Sequence, residues 1–400
     1  MKGFFRKMGE WIKAHKKKTI VIGIVAFFLI CAVVTLSCLG AFVFNRFATG
    51  IRPTSAQLDA ARGQYKRVVI IGVDGTGSYP GEMLDDDSGS LPNFKKLFVD
   101  GVVTESGTRL NASVTYDGVA VYPTISAQNW TSMFRGVRPP YHGITGSSSN
   151  SDLSAGKQPS TKYPSFVKVI LDAMPDAKAI SVCTWDGVNN GAIEDHARLQ
   201  KYNTTCTTLQ KVVSGAETLG GLGGEALKDH IVDITSDDGF GDPDNALRDA
   251  VTVQKIIEAT TTEQGKEDYK IIYMHLNQVD SAGHSYGNNK HAYARAVSRV
   301  DVLIGRLYAA YEEKDMLDDT LFVFCTDHGH RYAQNGTGHG GNRPEEVNVT
   351  FAVAGRTVKQ GKPGKYVNTD LAPIVTYAMG VKAPKGWQGL VPYNMFTALS

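Results

Sequence analysis

Cysteine is scarce, five residues in 400. No CxxC spacing occurs among them, so neither a disulfide-stapled scaffold nor a thiolate metal site organises this chain. Proline is also sparse, at 15 residues, and the 42 glycines follow no period, which excludes a collagenous or low-complexity chain. Nor is there a large excess of charge of either sign: 42 Lys/Arg against 40 Asp/Glu leave a net +2. What charge there is lies unevenly. Residues 1–18 hold Lys2, Arg6, Lys7, Lys13, Lys16, Lys17 and Lys18 against Glu10, while the remaining 382 residues carry 35 basic and 39 acidic groups. A chain that is mildly acidic beyond its basic tail is not built for nucleic acid, and no nucleic-acid duplex is expected as a partner.

One long apolar run is present. Thr19 to Phe44 is free of charge over 26 residues, more than the roughly 20 that a bilayer-spanning helix needs. It directly follows the basic tail, which favours a cytoplasmic N-terminus. The expectation is an uncleaved signal anchor at 19–44, a linker at 45–65 and an extracellular catalytic domain at 66–400, with the lipid bilayer as a partner. A cleaved signal peptide, with small residues at Gly40 and Ala41, is the rival reading. Cys31 and Cys38 fall in this run and Cys325 in an apolar stretch. Cys183 and Cys206 either pair or remain free thiols.

Beyond the linker, short, continuously apolar runs recur at Arg67–Asp74, Lys178–Trp185, Tyr269–Leu276, Thr320–Asp327 and Val347–Gly355. That composition suits strands covered on both faces. Helical patterns alternate with them. Residues 288–314 place Val297, Val300, Ile304, Leu307 and Tyr311 at three- or four-residue steps, and Asp242-Pro243 reads as an N-cap with Pro in the first turn of a helix to about Ala259. The expected fold is α/β, a mostly parallel sheet with helices on both faces. Residues 145–265, richer in Ser, Thr, Asn and Gly, are read as core elements interrupted by insertions.

In open α/β sheets, ligands gather at the carboxyl ends of strands. Asp74 ends the first run, Asp280 and His284 follow the run at 269–276, Asp327 and His328 follow that at 320–325, and His339 comes shortly after. A lone Asp there is usually a cap and a lone His is usually satisfied by packing. Six such groups beside glycines point instead to divalent metal, with zinc favoured by the carboxylate and imidazole mixture and enough donors for two ions.

Asp74, the segment YPTISAQNWTSMFRGVRPPYHGITG (122–146), DSAGHSYG (280–287), TDHGH (326–330) and GTGHGG (336–341) resemble, in order and spacing, the alkaline phosphatase superfamily and within it the nucleotide pyrophosphatase/phosphodiesterase branch. The resemblance implies a nucleophile at Ser126. It further implies one zinc held by Asp74, Asp327 and His328 with the Ser126 oxygen, and a second held by Asp280, His284 and His339. It implies hydrolysis of a phosphodiester or pyrophosphate through a phosphorylated Ser126, with the substrate a nucleotide, a sugar-phosphate or a lipid-phosphate diester. Asn129, Ser147 and Trp185 are the candidate substrate contacts.

Two positions depart from the branch. Ala127 replaces the aromatic that often follows the nucleophile, and Ser147 stands where a phosphate-binding Asn is usual, with Asn150 nearby. Trp130, Tyr141 and Trp185 are aromatics that could restore a stacking surface, although Trp130, one helical turn past Ser126, is expected to pack against the sheet. The C/S-x-P-x-R signature of sulfatases is missing around Ser126. A phosphomonoesterase needs a cation for the extra phosphate charge. Arg135 and Arg138 are the candidates, and a surface role is expected for both. A catalytically dead, membrane-anchored binding protein is the alternative from another class.

Overall fold

The apolar runs become strands because a single sheet buries both of their faces. The computed structural model describes residues 62–85, 91–205, 243–392 and 394–397. Its strands are β1 (Arg67–Val73), β2 (Val102–Val103), β3 (Arg109–Val119), β4 (Lys178–Cys183), β5 (Leu199–Asn203), β6 (Tyr269–Leu276), β7 (Thr320–Cys325) and β8 (Asn348–Gly355). They form one eight-stranded sheet in the order β2-β3-β8-β7-β1-β6-β4-β5. The helices used below are α1 (Tyr79–Asp85), α2 (Ser126–Arg135), α3 (Phe166–Ala173), α4 (Pro243–Thr260), α5 (Gln278–Tyr286), α6 (His291–Glu313) and α7 (Leu371–Ala378).

Every residue of β1 is buried. Val68 and Ile70 pack on one face with Trp130 and Phe134 of α2, Phe166 and Ile170 of α3 and Ile374 of α7. Val69, Ile71 and Val73 pack on the other with Leu247 and Val251 of α4 and with α6. The periodic residues Val297, Val300, Ile304, Leu307 and Tyr311 are all on the buried side of α6. Each large aliphatic side chain so covered contributes about 1.5–3 kcal/mol, which is why the strands alternate between two cores without a polar face.

The sheet is mixed rather than mostly parallel. β1, β4, β5, β6 and β7 pair in parallel, whereas β8 runs antiparallel to β7 and to β3, and β2 antiparallel to β3. Strand β3 has no counterpart among the continuously apolar runs. Its residues RLNASVTYDGV alternate polar and apolar, and its register breaks between Thr115 and Gly118, so it lacks the continuous apolar signature of the central strands.

Within 145–265, α3, β4, β5 and α4 belong to the α/β framework, and residues 206–242 lie outside the described residues. Cys183 is a free, buried thiol, as is Cys325, and burial pushes the Cys183 thiol up to about 12. Cys206, the tail, the apolar run at 19–44 and most of the linker lie outside the described residues. Among the described residues, no helix is long and apolar enough to cross a membrane.

Candidate active site

Parallel registration of neighbouring strands assembles the first group of side chains. Gly72 of β1 pairs with Cys325 of β7, so Asp74 and Asp327, each two residues further on, arrive side by side. His328 follows directly. Its Nε2 lies 3.1 Å from Asp327 Oδ2 and 3.5 Å from Asp74 Oδ1. Its Nδ1 is 3.2 Å from the Gly329 carbonyl. Donation of Nδ1–H to that carbonyl leaves the Nε2 lone pair facing the carboxylates. All three side chains are buried.

The second group comes from the other neighbour of β1. After β6 the chain enters α5, where Asp280 and His284 stand one turn apart on a common face. His284 Nε2 is 3.5 Å from Asp280 Oδ1, and its side chain is 52% exposed. His339 arrives from the loop before β8, with Nε2 3.6 Å from Asp280 Oδ1 and 3.1 Å from His284 Nε2. Its Nδ1 donates to the Thr124 carbonyl at 2.5 Å, so its Nε2 also presents a lone pair. The second histidine of TDHGH, His330, was not assigned from sequence. It is buried and places Nε2 2.8 Å from Asp280 Oδ1.

Ser126 stands beside His328, the residue common to both sets of closely spaced donors. It is the first residue of α2, and its Oγ lies 3.1 Å from His328 Nε2. The amides that follow Ser126 in α2 already have acceptors. Ala127 N–H donates to Asn150 Oδ1 at 2.9 Å, and the Gln128 and Asn129 amides both donate to the Ile125 carbonyl. Asn150 therefore sits beside Ser126, and its Nδ2 has no hydrogen-bond partner among the described residues. Ser147 is exposed instead.

Other sequence candidates have structural work. Asn129 is buried. Its Oδ1 accepts from Val121 N–H and from Asn368 Nδ2, and its Nδ2 donates to the carbonyls of Val121 and Pro123. No polar atom of Asn129 is left for a substrate. Thr124 ties down the His339 loop, with Oγ1 donating to the Gly341 carbonyl and accepting from Gly340 N–H, both at 2.9 Å. Arg135 is buried rather than on the surface. It binds the carbonyls of Ala192, Ser160 and Tyr163 and pairs with Glu194 at 3.1 Å. Arg138 and Tyr141 are exposed. Trp185 is half-buried, with Nε1 donating to Ser154 Oγ at 3.0 Å. Trp130 packs on the sheet as expected, and its indole N–H also donates to Asp74 Oδ2 at 2.9 Å.

The electrostatics of the two groups differ. Burial, and then the charge of Asp74, pushes the Asp327 carboxyl well above the usual range. Burial acts on Asp280 in the same direction, but His330, His284 and His339 around it prevail and hold it well below that range. Burial, and then His339, depresses His328. Asp74 Oδ1 and Asp327 Oδ2 are buried without a hydrogen-bond partner. Buried carboxylate oxygens are rarely left so, and a shared cation would satisfy both. Two sets of donor atoms lie close enough together to hold an ion, Asp74/Asp327/His328 and Asp280/His328/His330/His339, each with all its donors within 4.8 Å of one another. The residues present fit a two-ion site.

A sheet of this kind, carrying Asp/His groups beyond the ends of its central strands, shares its fold with solved phosphodiesterase and alkaline phosphatase structures. Residues 68–370 match the profile of the type I phosphodiesterase / nucleotide pyrophosphatase family, and the chain belongs to that family.

Among curated proteins, it is similar to the catalytic subunit of human GPI ethanolamine phosphate transferase 2, 29% identical over 126 residues, which is 30% of this chain and 12% of that protein. It is also similar to GPI ethanolamine phosphate transferase 2 of Aspergillus fumigatus, 35% identical over 85 residues, 21% of this chain and 11% of the relative. The matched stretches thus span about a tenth of these relatives' length. Among solved structures, an inactive variant of murine ectonucleotide pyrophosphatase/phosphodiesterase 5 in complex with AMP aligns with TM-score 0.55 and 12% identity, over 83% of this chain and 100% of that one. Wild-type alkaline phosphatase PafA aligns with TM-score 0.58 and 13% identity, over 83% and 99%. At these identities the likeness is one of fold.

Proposed function

We propose that this chain is a metal-dependent phosphodiester-cleaving enzyme that passes a phosphoryl group through Ser126. The observation that carries the reading is the position of the Ser126 hydroxyl, 3.1 Å from Nε2 of His328, which belongs to both sets of closely spaced donors. Asp74, Asp327 and His328 would hold one divalent ion and Asp280, His284 and His339 the other, with zinc favoured by the donor set. Such ions supply charge neutralisation for the in-line transition state and lower the pKa of an attacking hydroxyl.

The protein's own groups do the rest. Ser126 Oγ forms a bond to phosphorus as the P–O bond to the leaving alcohol breaks, and the hydroxyl proton ends on that alcohol. Water then attacks the Ser126 ester, releasing a phosphomonoester and restoring the hydroxyl. The free amide nitrogen of Asn150 is the donor best placed to bind a non-bridging phosphate oxygen. Asp249, which is buried, braces α5 by accepting from Asn277 and Gln278 N–H at 2.8 and 3.0 Å, and so fixes the first turn that carries Asp280.

A diester is favoured over a monoester because Arg135 is consumed by Glu194 and three carbonyls, which removes the buried candidate for a clamp on a dianionic phosphate. The match to ethanolamine phosphate transferases supports a second outcome for the same intermediate, in which an alcohol rather than water accepts the phosphoryl group. A panel of bis-aryl phosphate diester, aryl phosphate monoester, aryl sulfate and dinucleotide, with and without an added alcohol, tests the reading. The diester should be turned over fastest, and chelation should abolish turnover until zinc is restored. Wide preference for the monoester, or full activity in chelator, would overturn it. The anchor at 19–44 belongs to the same proposal, with the catalytic domain outside the cell. Recovery of a soluble chain beginning near Ala41 would replace it with a cleaved signal.

A further inference from the structure

We propose that Trp130 and His275 form a clamp that selects which oxygen of Asp74 faces an ion, making both of them positioning residues of the site. The inference rests on the metal-dependent reading above and concerns side chains to which that reading gives no part. Asp74 Oδ2 lies 2.9 Å from Trp130 Nε1 and 3.0 Å from His275 Nε2. Indole nitrogen is a donor only, so Trp130 must donate. A carboxylate oxygen accepts only, so His275 carries its proton on Nε2 there, and its Nδ1 faces the Trp185 amide at 3.5 Å. Both donors are fully buried. With Oδ2 doubly engaged, Oδ1 is the oxygen left without a partner, 3.5 Å from His328 Nε2. The clamp therefore turns a carboxylate that could chelate through both oxygens into a one-oxygen donor aimed at the position shared with Asp327 and His328.

The local sequence is arranged around this contact. His275 is registered with Gly72 across the β1–β6 pair. A Cβ on Gly72 would lie 2.8 Å from the Trp130 ring and 2.9 Å from the Tyr273 hydroxyl. Glycine two residues before Asp74 thus leaves the space into which the indole reaches from α2. The indole in turn meets the His275 ring edge-on at 5.1 Å, so the two donors also hold one another. Packing alone would explain a buried tryptophan, but it does not require both nitrogens to converge on one oxygen.

The test is release of zinc from the full-length, zinc-loaded chain during chelator titration, alongside melting of the metal-free protein. Trp130→Phe removes one N–H while keeping a ring. His275→Gln keeps a donor near the Nε2 position, whereas His275→Leu keeps bulk and loses the donor. Groups behind metal ligands typically change affinity about 10–100-fold. Trp130→Phe and His275→Leu should therefore release one of two ions at about 10–100-fold lower chelator concentration, with the other ion unmoved and His275→Gln close to the parent. Parent-like release from Trp130→Phe and His275→Leu overturns the clamp, as does identical behaviour of the Gln and Leu variants. Loss of affinity that merely follows the fall in metal-free melting temperature overturns it as well. A parent chain that binds no zinc overturns the metal-dependent reading itself, and the clamp with it.

Discussion

The two Asp/His groups are built from different material. Asp74, Asp327 and His328 stand just past the ends of hydrogen-bonded parallel strands and are wholly buried. Asp280 and His284 ride on α5, and His339 on a loop held by Thr124, with His284 half exposed. The first group is positioned by sheet registration, so its geometry is as rigid as the core. The second reaches water through His284 alone, with Asp280 and His339 largely covered, and that side chain marks the route by which an ion or a leaving group could exchange with water. A site with one fixed side and one open side suits a reaction in which a nucleophile must be held while products depart.

The strongest way to break this comparison is at the junction of the two groups. Ser126→Ala should lower turnover by at least about three orders of magnitude, with zinc content unchanged and Ser126→Thr partly active. Near-parental turnover in Ser126→Ala would move the chemistry elsewhere. Next comes the contrast between the groups themselves. Asp327→Asn removes one of two buried carboxylates and should leave about one zinc per chain by metal analysis. His284→Ala, with Asp280, His330 and His339 still in place, should retain both ions but release one at lower chelator concentration. Equal losses from the two variants would erase the distinction.

Asn150→Ala should reduce turnover about 100-fold without changing zinc content, as expected for a lost phosphate donor. Burial against α2, away from the two groups, can also be probed by pH. Burial, and then the charge of Arg135, lowers His142 from 6.5 to about 3, while its Nδ1 accepts from Ile144 N–H and its Nε2 meets Ser132 Oγ. Because the folded value lies below the unfolded one, the unfolded chain takes up the proton first. This contribution to stability is complete above about pH 6.5 and is lost as pH falls toward 3. Denaturant unfolding followed from pH 7 to 4 should lose a few kcal/mol, and His142→Gln should flatten that limb. The smallest effect is expected at Ser147, whose exposed side chain should tolerate Ala with turnover within about twofold of the parent.

The central strands were readable because burial on both faces writes an unbroken apolar run. Strand β3 was not, because its antiparallel pairing next to the two-residue edge strand β2 and its irregular register leave an alternating, interrupted pattern. That these Asp and His side chains and Ser126 gather at one place was legible from their positions after those runs and from the family resemblance. His330 and His275 were not assigned. The first is the second histidine of a motif whose Asp327 and His328 already had assignments. The second lies inside an apolar strand, where a histidine looks like packing. Arg135 was expected at the surface because it closes a helix before Gly136 and Pro139, yet Glu194 and three carbonyls from distant segments draw it inside.

Residue type and local period determined the α/β class, the main helices of the described core and the inventory of metal-type donors, because those depend on contacts each segment makes with water or with a flat apolar surface. Only the tertiary structure decided which oxygen of Asp74 is free, that Asn129 is spent on neighbouring backbone and on Asn368 while Asn150 reaches the amide after Ser126, and that one Asp/His group is wholly buried while the other exposes His284. These depend on distances between residues as far apart as Asp74 and His275, which strand registration sets to within a hydrogen bond and no local pattern records.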